Sequence, residues 1–219
     1  MDDIALLASS DLFSSFDEAA LRALATESQQ LSFERNGIIF NEGDNAEDMF
    51  VVRSGRIAIG RRSPDGRESL VALMETGDLF GEMSLFDQGD RSASARALEP
   101  SVVLRLPYAQ VRKALDARPE LLWEVVSLLA QRLRATDSAL ADAVFLDVTG
   151  RTAKRLLELA GDAEEFALPI TQEELAGLVG ASRERVNKSI AAFIRLGWID
   201  QLDRRYRILQ RDRLAQRAR

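Results

Sequence analysis

The chain has 219 residues, 46% of them hydrophobic and 29% charged, with a formal net charge of −6 at pH 7, values typical of a globular protein long enough for two domains. It contains no cysteine and no histidine, which excludes disulfides, thiolate-bound iron–sulfur clusters and nucleophiles activated by histidine. No apolar run is long enough to span a membrane and the first residues lack the basic start of a secretory signal, so we expect a cytoplasmic protein without a membrane partner.

A short helix and then a series of strands are predicted for the first half of the chain. Asp17 is a suitable N-cap for a helix in which apolar residues recur at helical spacing over residues 20–25. Over residues 31–106, strand-like runs alternate with turn signals rich in glycine, asparagine and aspartate. The runs span residues 37–40, 49–53, 56–61, 69–74 and 101–106. With a tight hairpin at residues 63–66, this spacing is typical of a β-barrel or a double-sheet roll.

Residues 79–94 interrupt the strands with a concentration of polar chemistry. Gly81 and Glu82 are predicted to open a short helical turn, and Arg91 and Ser92 close the segment. Glycine lets a ligand approach the backbone, a helix start offers free N–H groups, and arginine and serine bind phosphate oxygens. Glu82 would suit ribose hydroxyls. The segment therefore predicts a phosphate-binding loop, and a surface ion pair between Arg91 and Glu82 is the alternative.

Residues 119–145 predict one long helix, because no glycine or proline follows Pro119 until Gly150. Its seam residues recur at alternating steps of four and three, at Leu122, Val126, Leu129, Leu133, Thr136, Leu140 and Ala143 or Val144. This period is typical of a two-stranded coiled coil and predicts a homodimer, and a helix buried against its own sheet is the alternative. Thr136, with Asp137 beside it, would fix the register of the two helices or contact a ligand.

A hinge and a further helix are predicted after the long helix. Residues 146–149 are expected to form the hinge, with Asp147 capping the next helix and Gly150 loosening the junction. That helix ends at Gly161, and a turn and a short strand follow over residues 164–170.

The next segment predicts a helix-turn-helix. Thr171 and Glu174 form a capping box for a helix that stops at Gly180, and Ser182 caps a second helix. Two helices joined by so short a turn, the second with polar residues near its start, are the arrangement that DNA-binding proteins insert into a major groove.

The second helix carries Arg183, Glu184 and Lys188 on one face near its start. Arginine and lysine suit guanine acceptors, and glutamate suits the cytosine amino group. Two wing strands are expected at residues 198–199 and 206–209, around a basic tip near phosphates. From residue 171 onward there are eleven basic and six acidic residues, which gives a local net charge of +5 on an acidic chain. This balance favours DNA binding over a charged surface tail.

In this order the motifs resemble the CRP/FNR family of bacterial transcription regulators over nearly the whole chain. The matching pieces are Gly81 with Glu82, Arg91 with Ser92, Thr136, the hinge sequence 145–151, and Ser182, Arg183, Glu184 and Lys188. The resemblance implies an α+β fold in three parts. These are a cyclic-nucleotide-binding β-roll, or double-stranded jelly roll, at residues 1–118, a dimerisation helix and hinge at 119–146, and a C-terminal winged helix-turn-helix at 147–219.

The resemblance implies roles for four residues of the 79–94 segment. In the cAMP-binding branch of the family, the residues that Gly81 and Glu82 match contact the ribose hydroxyl. The residues that Arg91 and Ser92 match hold the cyclic phosphate.

It also implies that the long helix contacts the effector. Thr136 matches a residue that reaches the adenine amino group. Asp137 stands where the partner subunit's helix adds a second contact, usually from a small polar side chain, so an aspartate departs from the family pattern. The oxygen-sensing branch of the family needs cysteines and the haem branch usually a histidine. We therefore expect cAMP as the allosteric effector, with no metal, haem or iron–sulfur cluster.

The expected partners are double-stranded DNA with a two-fold symmetric site, a second copy of the chain and RNA polymerase. The residues expected at the DNA are Thr171, Ser182, Arg183, Glu184, Lys188, Arg204 and Arg205. No pair of nucleophile and base stands out, so an enzyme is not expected. One alternative keeps the fold and DNA binding but has cyclic di-GMP, another metabolite or nothing as effector. The other is a cyclic-nucleotide-binding regulatory subunit of an enzyme assembly.

Overall fold

The structure is a computed structural model that describes residues 2–62, 68–203 and 205–219, with Glu68 described by its backbone alone. The hairpin predicted at residues 63–66 and the candidate DNA contact Arg204 lie outside the described residues. The chain divides into two units, Met1–Gly66 with Val71–Leu133 and Arg67–Leu70 with Arg134–Arg219. The border after Leu133 falls inside the long helix.

The first unit contains several helices besides the long one. They are α1 (Asp3–Ala8), α2 (Glu18–Glu27), α3 (Met83–Asp87) and α4 (Tyr108–Ala117). Helix α2 confirms the prediction, because the Asp17 carboxylate accepts a hydrogen bond from the Ala20 N–H at 2.8 Å. Helices α1 and α4 are absent from the sequence analysis. Helix α1 has only six residues, too few to show a helical period, and Pro107 at the start of α4 offers no side-chain cap.

The strands that precede residue 108 form two four-stranded sheets. They are β1 (Gln29–Phe33), β2 (Ile38–Phe40), β3 (Asp48–Ser54), β4 (Ile57–Arg62), β5 (Glu68–Met74), β6 (Leu79–Phe80), β7 (Ser94–Ala97) and β8 (Ser101–Pro107). The sheet orders are β1-β8-β3-β6 and β2-β7-β4-β5. The five predicted strands are present with small shifts. Strand β6 has two residues and β7 lacks β-branched and aromatic side chains, so neither carries a strand signal.

Aromatic side chains fill the space between the two sheets at one end. Phe50 and Phe80 stack with their ring centroids 5.2 Å apart, and Phe40 lies within 6.0 Å of both. Phe50 and Phe80 are buried, which places an apolar wall directly before Gly81. The helices α1, α2 and α4 bury a second apolar cluster together with β3 and β8.

The long helix α5 (Leu122–Phe145) has two apolar faces. It follows a 3-10 turn, Pro119–Leu121, so the regular helix begins three residues later than predicted. Val125 and Leu128 are buried in the core of the first unit. The seam residues Leu122, Val126, Leu129, Leu133, Leu140 and Val144 are exposed, from 38% to 66%. Burial against the chain's own core therefore accounts for one face only. No helix in the described part of the chain is both long and apolar enough to cross a bilayer.

The second unit contains helices and one small antiparallel sheet. Its elements are α6 (Val148–Ala160), β9 (Glu165–Ala167), α7 (Gln172–Val179), α8 (Arg183–Arg195), β10 (Ile199–Leu202), β11 (Arg205–Ile208) and α9 (Arg211–Arg217). The strand order is β10-β11-β9. The predicted capping box is present, since Thr171 accepts from the Glu174 N–H and Glu174 from the Thr171 N–H. Helices α7 and α8 thus form the predicted helix-turn-helix, and the overall α+β class is confirmed.

The predicted hinge is too long. Helix α6 begins at Val148, so Val148 and Thr149 are helical rather than part of a flexible connection. The reason is the cap itself, because the Asp147 carboxylate accepts a hydrogen bond from the Gly150 N–H at 2.8 Å. Gly150 is buried in the first turn of the helix and does not loosen the junction. Leu146 and Asp147 alone separate α5 from α6.

Candidate functional site

Gly81 and Glu82 lie between β6 and α3, where the sequence predicts a helical turn. Gly81 has φ = 77°, and a Cβ there would come within 2.8 Å of the Arg91 Nη1 atom, so both backbone and space favour glycine. Glu82 is fully buried and forms an ion pair with Arg132 of α5. Arg132 also donates from Nη2 to the Leu79 carbonyl oxygen at 2.6 Å. A side chain from the long helix therefore closes over the loop.

Arg91 is buried and held on two of its three nitrogens. Its Nη2 donates to the Asp48 carboxylate at 2.8 Å. Its Nη1 donates to the Gly81 carbonyl oxygen at 2.8 Å and to the Tyr108 hydroxyl at 3.2 Å. The guanidinium carbon lies 4.2 Å from the centre of the Phe40 ring, within cation–π range. The alternative of a surface ion pair between Arg91 and Glu82 is wrong.

Tyr108 fixes the loop from the other side. Its hydroxyl donates to the Gly81 carbonyl oxygen. Burial raises the pKa of the Tyr108 hydroxyl above its ordinary value, so the group stays protonated and continues to donate at neutral pH. The Gly81 carbonyl thus accepts from both Tyr108 and Arg91.

Two buried polar atoms at this loop have no hydrogen-bond partner among the residues that the structure describes. They are Nε of Arg91 and Oε2 of Glu82. One can only donate, and the other, in an ionised carboxylate, can only accept. Leaving such atoms buried and unpaired is costly. The pair is therefore complementary to a ligand that presents an anion and a hydroxyl group.

The cavity that both residues line is small. Its volume is about 60 Å³, and its walls include Phe40, Phe80, Ser92 and Arg132. Pockets for small organic ligands usually measure about 300–1,000 Å³. A nucleotide therefore fits only if these walls move apart. A larger, open recess of about 760 Å³ lies beside α4. Gly81, Glu82, Arg91 and Ser92 are not among the described residues that line it.

The remaining effector candidates are exposed. Ser92 lies at the cavity with its Oγ 3.5 Å from the sulfur of Met83. Thr136 and Asp137 are exposed residues of α5 beyond the border between the two units.

The start of α8 presents a polar surface. Ser182 caps the helix by accepting from the Arg185 N–H, and Arg183, Glu184 and Lys188 are exposed. Val186, Ser189, Ile190 and Phe193 are buried on the opposite face. Asn187 is also exposed, four residues after Arg183 and hence on the same face. These side chains can all reach a groove without disturbing the core.

The wing carries opposing charges. Arg207 pairs with Glu165 at 2.9 Å, and Arg205 reaches the same carboxylate at 3.4 Å. The hydrogen bond and charge of Arg207, followed by those of Arg205, lower the pKa of Glu165. Thr171, another candidate DNA contact, is half-buried and its hydroxyl is engaged in the cap of α7.

Comparison with known proteins matches both units. The cyclic nucleotide-binding domain family matches residues 30–118, and the Crp-like helix-turn-helix domain family matches residues 150–217. Over 226 residues the chain is 41% identical to the CRP-like cAMP-activated global transcriptional regulator of Mycobacterium tuberculosis, with all of both chains covered. The chain belongs to the CRP/FNR family.

Two further relatives agree with this membership. The cAMP-activated global transcriptional regulator CRP of Pasteurella multocida is 34% identical over 157 residues, covering 68% of this chain and 75% of the relative. The structure of FixK2 from Bradyrhizobium japonicum is 21% identical and has a TM-score of 0.79 over 86% of this chain and 96% of that one, which shows a shared fold. The chain is thus a DNA-binding transcription regulator with a cyclic-nucleotide-binding domain, and not an enzyme.

Four residues of this CRP/FNR regulator's candidate surfaces are missing from the sequence analysis. Asp48 and Tyr108 are far from Arg91 in sequence, and only the pairing of β3 with β8, which sets Asp48 opposite Pro107, brings them to it. Arg132 precedes Thr136 by one helical turn, so helical spacing could have found it. The same spacing from Arg183 points to Asn187, whose amide suits adenine.

Proposed function

We propose that the protein is a homodimeric regulator controlled by cAMP, bound at Gly81, Glu82, Arg91 and Ser92 and completed by Thr136 and Asp137. The observation that carries this proposal is the pair of unpartnered buried atoms, Nε of Arg91 and Oε2 of Glu82. A cyclic phosphate accepts from the first, and a ribose hydroxyl donates to the second. The relatives named as cAMP-activated support the choice of nucleotide.

Arg132 couples the pocket to the long helix in this proposal. Its guanidinium pairs with one oxygen of the Glu82 carboxylate, whose other oxygen the ribose must reach, and the cavity of about 60 Å³ that Arg132 lines is too small for a nucleotide. Binding therefore displaces or shifts Arg132, and with it the helix that carries the seam. An effector acts on a protein in this way when it binds one arrangement better than the other.

The exposed seam of α5 is the proposed dimer interface. Leu133, Leu140 and Val144 are each more than 60% exposed, and a second copy would cover them in a coiled coil. The proposed domains are residues 1–118, 119–146 and 147–219. Two recognition helices related by the dimer axis would read half-sites about 34 Å apart.

The proposed DNA contacts divide by role. Base edges are read by Arg183, Glu184 and Lys188, while phosphates are contacted by Thr171, Ser182, Arg204 and Arg205. As a regulator of transcription the dimer would act in the cytoplasm and contact RNA polymerase at its sites.

Calorimetric titration with cAMP tests the effector proposal. We expect one cAMP site per chain and a loss of about 1 kcal/mol of binding free energy in Glu82→Gln, because a hydrogen bond to a charged carboxylate becomes one to a neutral amide. Glu99→Gln is the matched control, since Glu99 pairs with Arg56 in the same unit but does not line the cavity. An absence of cAMP binding, or binding of cyclic di-GMP alone, would contradict the proposal.

A further inference from the structure

Asp48 is a buried carboxylate shared by two arginines next to the pocket. It stands at the start of β3 and is 9% exposed. Its Oδ1 accepts from Arg91 Nη2 at 2.8 Å, and its Oδ2 accepts from Nε of Arg105. Arg91 and Arg105 thus meet one carboxylate, and Asp48 itself does not line the cavity.

The charges around the pocket nearly cancel. The cluster consists of Asp48, Arg91 and Arg105, joined by the two ion pairs of Asp48, and Glu82 with Arg132 forms a separate, neutral pair. Two arginines and one carboxylate leave the cluster a formal charge of +1. The sequence contains no histidine to add a positive charge near neutral pH. One negative charge on a ligand therefore balances the cluster, and a second has no unpaired cation within it.

We infer that Asp48 makes the pocket select a monoanionic phosphodiester against a dianionic phosphomonoester, which deepens the function proposed above and rests on it. Cyclic nucleotides carry one negative charge on phosphorus. A phosphomonoester carries about −1.5 to −2 at pH 7, with a second pKa near 6. The relevant competitor is 5′-AMP, which is the product of opening the ring of cAMP with water.

Asp48 and the ligand would share the guanidinium of Arg91. Asp48 holds Nη2, Gly81 and Tyr108 hold Nη1, and Nε alone of the three nitrogens is without a partner in the described chain. A phosphate on Nε would sit on the same guanidinium as the Asp48 carboxylate, so an added negative charge on it is repelled through a poorly screened interior. Asp48 therefore acts on the ligand through Arg91, as a positioning and charge-balancing residue.

Calorimetry with cAMP and 5′-AMP at pH 7.5 tests this inference in three variants. Asp48→Asn keeps an acceptor for Arg91 but removes the charge. We expect the ratio of the 5′-AMP Kd to the cAMP Kd to fall by roughly tenfold or more, given the energy of two charges that share one guanidinium. Arg105→Gln leaves the Asp48 charge less compensated and should raise the same ratio. Glu99→Gln, which neutralises a paired glutamate away from the pocket, should leave it unchanged.

A second arm uses the unaltered protein. Lowering the pH from 7.5 to 5.5 protonates the phosphomonoester and leaves the phosphodiester charged. The affinity for 5′-AMP should rise toward that for cAMP, and this rise should be smaller in Asp48→Asn.

The outcomes separate the two proposals. If the unaltered protein binds neither nucleotide, the proposed function fails and this inference with it. The other outcome is that the unaltered protein binds cAMP, that Asp48→Asn lowers the affinity for both ligands by the same factor, and that the ratio of the two Kd values in the unaltered protein does not change with pH. In that case Asp48 has a structural role only, and this inference alone is overturned.

Discussion

Single residues in the pocket are held in place by bonds that leave one atom of each free. Arg91 donates hydrogen bonds from Nη1 and Nη2 to other groups of the protein, and Glu82 pairs with Arg132 through one carboxylate oxygen. The remaining Nε and Oε2 are buried and unpaired within the described residues. A site built this way keeps its charged groups oriented before the ligand arrives, which lowers the cost of ordering them on binding.

The pairing of Arg91 with Asp48 changes what a substitution there tests. From the sequence, Arg91→Leu is expected to remove effector response and leave the fold intact, because the residue touches no core. The structure corrects this expectation, since Arg91 is buried against Phe40, and its loss leaves Oδ1 of the buried Asp48 without its partner while Arg105 still pairs with Oδ2. Leaving a buried polar atom unpaired costs about 1–3 kcal/mol, or more when the group is charged. A loss of effector response in Arg91→Leu could therefore result from a less stable fold as well as from weaker effector binding.

Asp137 is predicted to set the choice of purine. An ionised carboxylate only accepts hydrogen bonds, so it suits the adenine amino group and repels the guanine carbonyl. We expect cAMP to bind more tightly than cGMP by roughly 2–4 kcal/mol, and Asp137→Asn to narrow this gap because its amide can donate. Calorimetric titration of both proteins with cAMP and with cGMP measures this difference in binding free energy.

The control for this prediction is Glu124→Gln, which removes another acid from the same helix. Glu124 accepts from Ser15 in the first unit and does not line the cavity. The prediction is contradicted if the ratio of the cAMP and cGMP affinities is the same in Asp137→Asn, in the control and in the unaltered protein. Asp137 would then face solvent and would not determine which purine binds.

Helices of this protein follow their caps closely. Asp17, Asp147, Thr171 and Ser182 all cap the helices that the sequence assigns to them. The elements missed are short or lack a cap, except that the short helix α1 is capped by Asp2. Helix α4 begins after Pro107 with no side-chain cap, and β6 has only two residues. The pocket contacts of Asp48 and Tyr108 depend on strand register, which local sequence does not determine.

The cap of α6 is predicted to be sensitive to acid. The backbone hydrogen bond from Gly150, followed by the pairing with Arg217, lowers the pKa of Asp147 from its ordinary 3.8. The carboxylate therefore stabilises the folded state above that value, and the stabilisation is lost as the pH falls through the lower folded-state pKa. Asp147→Ala should reduce the free energy of unfolding by about 1 kcal/mol at pH 7.

Urea unfolding of the unaltered protein, Asp147→Ala and Asp147→Asn measures this effect. Asparagine also caps helices, so Asp147→Asn should lose less stability than Asp147→Ala at pH 7. The difference between the unaltered protein and Asp147→Ala should shrink toward pH 3. A difference that grows in acid would show that the charged carboxylate does not stabilise the helix.

On the scale of the whole molecule, the long helix belongs to both units. Its first half buries Val125 and Leu128 in the effector-binding unit, and its second half leads directly to Asp147 and the helix-turn-helix unit. The same helix contributes Arg132 to the pocket and an exposed apolar seam to the proposed dimer. In the proposed function, one element therefore carries the effector contact, the subunit contact and the connection to the helix-turn-helix.

From residue 171 onward, in the part of the chain proposed to bind DNA, basic residues outnumber acidic ones by eleven to six. Glu165 neutralises part of the wing, because it pairs with both Arg205 and Arg207. The exposed Arg183 and Lys188 of α8 have no acidic partner in the described part of the chain, and they lie beside Glu184 and Asn187. The start of α8, rather than the wing, is therefore expected to dominate sequence recognition.

The central claim is that cAMP controls DNA binding by a dimer, and fluorescence anisotropy tests it most directly. The probe is a labelled duplex with a two-fold symmetric site, selected from random sequences in the presence of cAMP. We predict that cAMP raises its affinity about 5–150-fold, that the affinity falls steeply with salt, and that Arg183→Ala costs about 1–3 kcal/mol at this site. Affinity that is the same with and without cAMP, with a flat salt profile, would contradict the account.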